Sequence, residues 1–230
     1  MKLLLENWKN FINETITFGI SKDIDKDTLA KIFKWANVSD TSNIEHIGSA
    51  SMGSAYRIDQ NKVLKITNDM SEANSAGILI KSGLSHPNVY QVYKVGKFLA
   101  DGRPRYALVL ELLQQPTEQM KYAMSSIDSL VRLGRSGEGL YSWGGFGKDP
   151  NLDKRIDIIA IDGESRHGYN KEEIKSHIDK LASGLTFLKK NGIRFSDLKA
   201  SNVLQRDGEP VIIDLGRVGL SRYVDIETID

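Results

Sequence analysis

The period of the apolar residues changes twice along this chain, and no single kind of secondary structure accommodates all three stretches. Up to residue 43 the spacing is helical. Leu4, Trp8, Phe11 and Ile12 fall at i, i+4, i+7 and i+8, and Leu29, Ile32, Phe33 and Ala36 share a second face, with Asp27 as the expected cap. From Ile44 to Leu113 the pattern is that of strands. Ile44–Ala50 and Met52–Ile58 flank a small-residue turn, and Asp59-Gln60-Asn61-Lys62 carries the chain into Val63–Thr67. Ala100-Asp101-Gly102-Arg103 joins Val89–Phe98 to Tyr106–Leu113 as a second hairpin. Between the third and fourth strands, Ser71–Ser82 reads as a helix started by Asp69 or Ser71 and stopped near Gly83. The expectation is a small antiparallel sheet with one helix inserted after its third strand.

Beyond Pro116 helices dominate. The glycine-rich, aperiodic stretch 133–152 reads as a long loop. Asn170 with Glu173 forms a capping pair, Ile174, Ile178, Leu181, Leu185 and Leu188 follow as one stripe, and Asn191-Gly192 ends it. Asn202–Gln205 and Val211–Asp214 then flank Asp207-Gly208 as a short hairpin. The whole is α+β: a helical extension over 1–43, a sheet lobe over 44–113 and a reduced, mostly helical lobe over 114–230.

Composition removes several function classes. Thirty-one Lys and Arg against thirty Asp and Glu leave a net charge of +1, which argues against gripping nucleic acid through bulk charge. The absence of cysteine excludes disulfide scaffolds, thiolate zinc sites and cysteine nucleophiles. The four histidines (His46, His86, His167, His177) are too scattered for a metal cluster. No apolar stretch approaches the length of a membrane span, and the opening MKLLLENWKNF turns polar at Glu6, unlike a signal peptide. A cytoplasmic protein, of the producing or an infected host cell, with no membrane or nucleic-acid partner is expected.

Three groups of residues carry chemistry. Gly48-Ser49-Ala50-Ser51-Met52-Gly53 lies between two strands, where small side chains let backbone amides approach phosphate oxygens. Lys65 sits in the apolar strand Val63-Leu64-Lys65-Ile66 and faces either water or a phosphate, with Glu72 on the next helix as its candidate carboxylate. The third group is Asp197-Leu198-Lys199-Ala200-Ser201-Asn202 followed by Ile212-Ile213-Asp214-Leu215-Gly216. The intervening hairpin would fold Asp214 back beside Asn202, converging two hard oxygen ligands suited to Mg²⁺ on phosphates. Asp197 is placed to orient a hydroxyl and accept its proton. A carboxylate at the end of an isoleucine strand is costly to desolvate without a cation or donor.

This ordered set resembles the protein-kinase-like superfamily: glycine-rich loop, strand lysine, helix glutamate, D-L-K-x-x-N, then D-L-G, over about residues 44–216. His86-Pro87-Asn88-Val89 is similar to the segment leading into the fourth strand of kinases, and Val109–Leu113 to the fifth strand and hinge, with Leu110 in the gatekeeper place. The compact plan most resembles phage-encoded serine/threonine kinases and minimal bacterial effector kinases. The resemblance implies a bilobal fold and ATP and Mg²⁺ as cofactors. Residues 48–53 would cover the phosphates, with Gly48, Ser49, Ala50, Ser51 and Gly53 as contacts. Lys65 would meet the α and β phosphates while paired with Glu72, and backbone groups of Glu111 and Leu113 would bind adenine. Asp197 would be the base, Lys199 would steady the transferring group, and Asn202 and Asp214 would hold the metal. The implied activity is phosphorylation of serine or threonine in a protein, a host protein among the candidates. Lys199, two after Asp197, is similar to the serine/threonine pattern rather than that of aminoglycoside kinases. A small-molecule acceptor, AMP transfer, or a partner-binding pseudokinase stays open.

The chain departs from the family pattern in four places. Ala50 stands for the second loop glycine, and Phe195-Ser196 for the usual histidine-arginine. The missing arginine implies activity without activation-loop phosphorylation. Glu72 follows Lys65 by only seven residues, and sixteen residues follow Asp214 with no A-P-E sequence, which implies another way of holding substrate.

Overall fold

The computed structural model of the protein describes residues 24–38, 44–50, 53–133, 151–194, 199–216, 219–220 and 223–230. These form two compact units. One takes the described residues up to Leu84, with Gln91–Leu112 and Tyr223–Asp230; the other takes those of Ser85–Tyr90 and Leu113–Arg222. The expected helix around Leu4–Ile12 and most of the expected 133–152 loop lie outside the described residues.

The first unit is a six-stranded sheet with a helix on each face. In chain order its elements are α1 (Lys26–Trp35), β1 (Glu45–Ala50), β2 (Gly53–Arg57), β3 (Lys62–Thr67), α2 (Met70–Lys81), β4 (Val92–Ala100), β5 (Arg103–Glu111) and, much later, β10 (Glu227–Thr228). The strands lie in the order β1-β2-β3-β5-β4-β10. The first five pair antiparallel, as the alternation predicts, while β10 adds a parallel edge, Glu227 opposite Gly96 and Thr228 opposite Lys97. Turn chemistry sets the registers. Asp59 Oδ1 accepts the Asn61 N–H at 2.7 Å at the β2–β3 turn. Asp101 and Gly102 take φ of 50° and 71° between β4 and β5, the paired left-handed residues that a two-residue hairpin turn demands.

Strand alternation sorts side chains between the two helices. Leu64, Ile66, Ala107 and Val109 point to one side and close a core with Leu29, Ile32 and Phe33 of α1, each 0% exposed. Burying each of those three α1 side chains is worth about 1.5–3 kcal/mol, enough to make α1 part of the sheet's core. Tyr106 and Leu108 point to the other side, against Ala73 and Ala76 of α2. α1 starts two residues earlier than expected: Asp25 is its cap, accepting the Thr28 N–H at 2.8 Å. Asp27 lies inside the first turn, where its charge favours the positive helix end.

The second unit holds α3 (Glu118–Leu133), α4 (Leu152–His167) and α5 (Lys171–Lys190), two short antiparallel pairs, β6 (Ile193–Arg194) with β9 (Gly219–Leu220) and β7 (Val203–Arg206) with β8 (Glu209–Ile212), and a 3₁₀ turn over Ala200–Asn202. Asn170 caps α5 through the Glu172 and Glu173 amides, and all five residues of its predicted stripe are buried. The β7–β8 turn is Asp207-Gly208, φ 51° and 84°. The fourth strand was expected from Val89, but it begins at Val92. The preceding residues pair with β8 instead: Tyr90 N–H donates to the Ile212 carbonyl at 3.0 Å and Ile212 N–H to the Asn88 carbonyl at 2.9 Å. The α+β class, a mostly antiparallel sheet with one helix after its third strand and a mainly helical second unit, is thus as expected. No described helix is long and apolar enough to cross a membrane.

Candidate active site

Lys65 owes its direction to its neighbours. Leu64 and Ile66 enter the core under α1, so alternation turns Lys65 to the opposite side of the sheet, in register with Leu108 and toward α2. α2 begins three residues after β3 ends because Asp69 caps it, accepting the Ser71 and Glu72 amides at 2.8 and 3.3 Å, while Thr67 Oγ1 accepts the Asp69 N–H at 3.1 Å. This tight strand-to-helix junction places Glu72 in the first turn, and the seven-residue spacing becomes a contact. Lys65 Nζ lies 2.5 Å from Glu72 Oε1. The Glu72 side chain is 2% exposed and that of Lys65 22%, so the carboxylate is sealed while the lysine side chain keeps part of its surface in solvent.

The small-residue segment divides between two strands. Gly48, Ser49 and Ala50 end β1 opposite Ala55, Ser54 and Gly53 of β2. Ser51, like Met52, lies outside the described residues. The two glycines have different origins. A Cβ on Gly53 would stand 2.0 Å from the Ile66 carbonyl oxygen, so packing of β2 on β3 demands glycine there. A Cβ on Gly48 would meet nothing within 4 Å, so the fold alone does not require that glycine.

At the end of β5, Glu111 N–H donates to the Gln91 carbonyl at 3.1 Å, and the Glu111 carboxylate accepts the Gln91 N–H at 2.6 Å. Nothing in the sequence marks Gln91 as the residue that closes this junction. Leu113 follows in the second unit.

Within the second unit the β7–β8 hairpin brings the metal candidates to its open end. Val203 pairs with Ile212, and the Ile213 N–H donates to the Asn202 carbonyl at 3.0 Å, which sets Asp214 one residue beyond the tie. Asn202 is 2% exposed and held by the 3₁₀ turn, its N–H donating to the Lys199 carbonyl at 2.9 Å. Lys199 is exposed at the start of that turn. Asp214 has φ 57°, a left-handed conformation that costs most side chains about 1–2 kcal/mol and that Asp tolerates better than most. Strain of this kind gathers where a side chain must be aimed. Asp197 lies outside the described residues. No group of three or more His, Asp or Glu assembled for a metal occurs among the described residues, so a cation here would draw on one amide oxygen, one carboxylate and its own phosphate ligands.

The sequence reading did not single out Asn74 and Ser75 of α2, polar residues buried at 4% and 0% exposure. Buried polar residues in a helix were the available signal.

No protein-family model matches the chain, and no curated protein is similar to it. Among solved structures it is similar to the streptomycin–ATP complex of APH(2")-IIa, at 13% identity and a TM-score of 0.38, covering 86% of this chain and 72% of that one. It is also similar to the Cydia pomonella granulovirus kinase PK-1 (14%, 0.41, 85% and 60%). The GDP complex of aminoglycoside 2'-phosphotransferase-IIIa gives 14% and 0.42, covering 85% and 73%. At this distance, assignment of chemistry falls to the chain's own residues.

Proposed function

We propose that this chain is an ATP- and Mg²⁺-dependent phosphotransferase of the protein-kinase-like kind, with a serine or threonine hydroxyl of a protein as acceptor. The observation that carries the reading is the Lys65–Glu72 pair. A buried ion pair adds little stability over an apolar substitute, so a carboxylate 2% exposed that holds a lysine 22% exposed is better explained by an anion that the lysine serves.

In this reading Lys65 binds the α and β phosphates, the 48–53 segment covers them, and Gly48 is glycine for the ligand's sake. The Glu111 N–H is already taken by Gln91, so Glu111 offers adenine its carbonyl and Leu113 its amide. Asn202 and Asp214, hard oxygen donors at the open end of one hairpin, fit Mg²⁺, which when bound would offset phosphate charge. Asp197 accepts the acceptor hydroxyl's proton as its oxygen bonds to the γ phosphorus. The bond from that phosphorus to the β–γ bridging oxygen breaks, and ADP leaves with the electron pair. Lys199 steadies the phosphoryl oxygens in transit. The candidate acceptors include host proteins of an infected cell.

Intact mass after incubation with ATP and Mg²⁺, beside Asp197→Ala and Asp214→Asn, tests this. Phosphate additions in the unaltered chain alone support it. AMP additions would replace phosphoryl with nucleotidyl transfer. Absence of any addition, together with no phosphate transfer to lysate proteins, would refute protein-directed activity.

A further inference from the structure

The segment Tyr223–Asp230 begins only nine residues beyond Asp214 in sequence, yet it is built into the sheet unit. It runs along one stripe of α2. The Val224 N–H donates to Asn74 Oδ1 at 3.1 Å, and Asn74 is itself fixed by its Nδ2 donating to the Met70 carbonyl at 2.9 Å. A Cβ on Gly77 would stand 2.5 Å from Val224 Cγ2, so the segment approaches α2 at a distance that only glycine allows. Lys81 Nζ donates to the Asp225 carbonyl. Positions 74, 77 and 81 fall at i, i+3 and i+7, one helical face.

The same segment then grips the sheet from both sides. Ile226 packs on the α2 side, with the group of Ala73, Ala76, Tyr106 and Leu108, and Ile229 enters the core on the α1 side. A Cβ on Gly96 of β4 would stand 2.7 Å from Ile229 Cγ1, and the Ile229 N–H donates to the Lys97 carbonyl at 2.8 Å. Asn74 lies two residues from Glu72, about 200° around the helix. The N-terminal part of α2 is thus held by Lys65 at Glu72 on one side and by Val224 at Asn74 on the other.

We propose that Val224–Ile229 is a built-in clamp that fixes α2, and with it Glu72, in its pairing with Lys65, making Asn74 and Gly77 positioning residues for phosphotransfer. This rests on the phosphotransfer reading and deepens it.

The test uses the full chain and a double-mutant cycle. Gly77→Ala drives a methyl into Val224 Cγ2 while giving α2 a better helix former, so it displaces the clamp without weakening the helix itself. Val224→Ala removes that Cγ2; the remaining Val224 Cβ is 3.8 Å from the new methyl, an ordinary contact. Gly77→Ala is expected to lower kcat for ADP release about two- to thirty-fold, with a smaller effect on the KM for ATP. It should also speed amide exchange across 72–79 and 224–229 without a matching fall in Tm. The double variant should recover both. Asn74→Ala, which removes the acceptor of the Val224 N–H without adding volume, should repeat the pattern. Turnover and exchange unchanged in Gly77→Ala and Asn74→Ala, or a double variant as impaired as Gly77→Ala, would overturn the clamp. Amide exchange needs no catalysis, so the two readings fail separately. An inactive unaltered chain that shows the exchange pattern refutes phosphotransfer and supports the clamp on α2. An active chain without the pattern refutes the clamp alone.

Discussion

Lys65→Ala and Glu72→Ala delete opposite halves of one ion pair, and they should not cost the same. Without the lysine, the Glu72 carboxylate loses its ammonium while 2% exposed, the situation in which removing one partner costs about 3–5 kcal/mol. Without the glutamate, the ammonium sits on a side chain already 22% exposed and can turn toward water, so about 1–3 kcal/mol is expected. For a chain of this size each kcal/mol moves Tm by about 2–4 °C, giving drops of about 6–20 °C for Lys65→Ala and about 2–12 °C for Glu72→Ala. Lys65→Met/Glu72→Leu should recover most of the stability while transferring no phosphate. Thermal melts of the four proteins, beside ADP release, give the answer. Equal losses in the two single variants, or a double variant as unstable as their sum, would refute the idea that these side chains act as one ion pair.

Other consequences are as specific. Gly53→Ala should destabilise by about 1–3 kcal/mol, because its methyl meets the Ile66 carbonyl at 2.0 Å, whereas Gly48→Ala should melt normally and show its effect in nucleotide titrations. Asp214→Gly should keep or raise Tm by relieving the left-handed backbone, Asp214→Ala should lower it, and both should abolish transfer; identical melts would deny strain at that position. Asp69→Ala should cost about 1 kcal/mol in chemical denaturation and slow transfer by loosening the turn that presents Glu72. Burial holds the imidazoles of His177 and His86 below their ordinary range, so the unfolded chain binds protons that the folded one declines. Stability should therefore fall on acidification through about pH 6.5, and His177→Gln should flatten that slope in melts taken across the range.

What could be read in the sequence was whatever depends on local chemistry. Asp69, Asn170, Asp101-Gly102 and Asp207-Gly208 act through their own backbone neighbours, and each stands where its residue type and spacing placed it. The first-turn position of Glu72 followed from that cap, and the return of Asp214 toward Asn202 from the hairpin between them. What escaped was set by distant partners. Val89 carries a strand-like side chain in a strand-like run, and only β8, more than a hundred residues on, draws it out of β4. Glu227–Thr228 is two residues long, too short for any period, and its pairing with Gly96 and Lys97 is invisible without the sheet. Asn74 and Gly77 look like poor helix residues until Val224 is set beside them.

The discontinuity of the sheet unit also bears on the order in which the molecule can be made. All 110 residues from 113 to 222 separate Leu112, where the sheet unit's middle stretch ends, from the segment that lies against Gly77 and Gly96. At synthesis rates of roughly 5–20 residues per second, they take about 6–22 seconds to emerge. Through that interval the nascent sheet lacks its parallel edge, and α2 lacks the side chain that fits over its glycine. An N-terminal unit would ordinarily be finished first; this one waits for the second, and its maturation is timed by residues that the ribosome reaches last of those described.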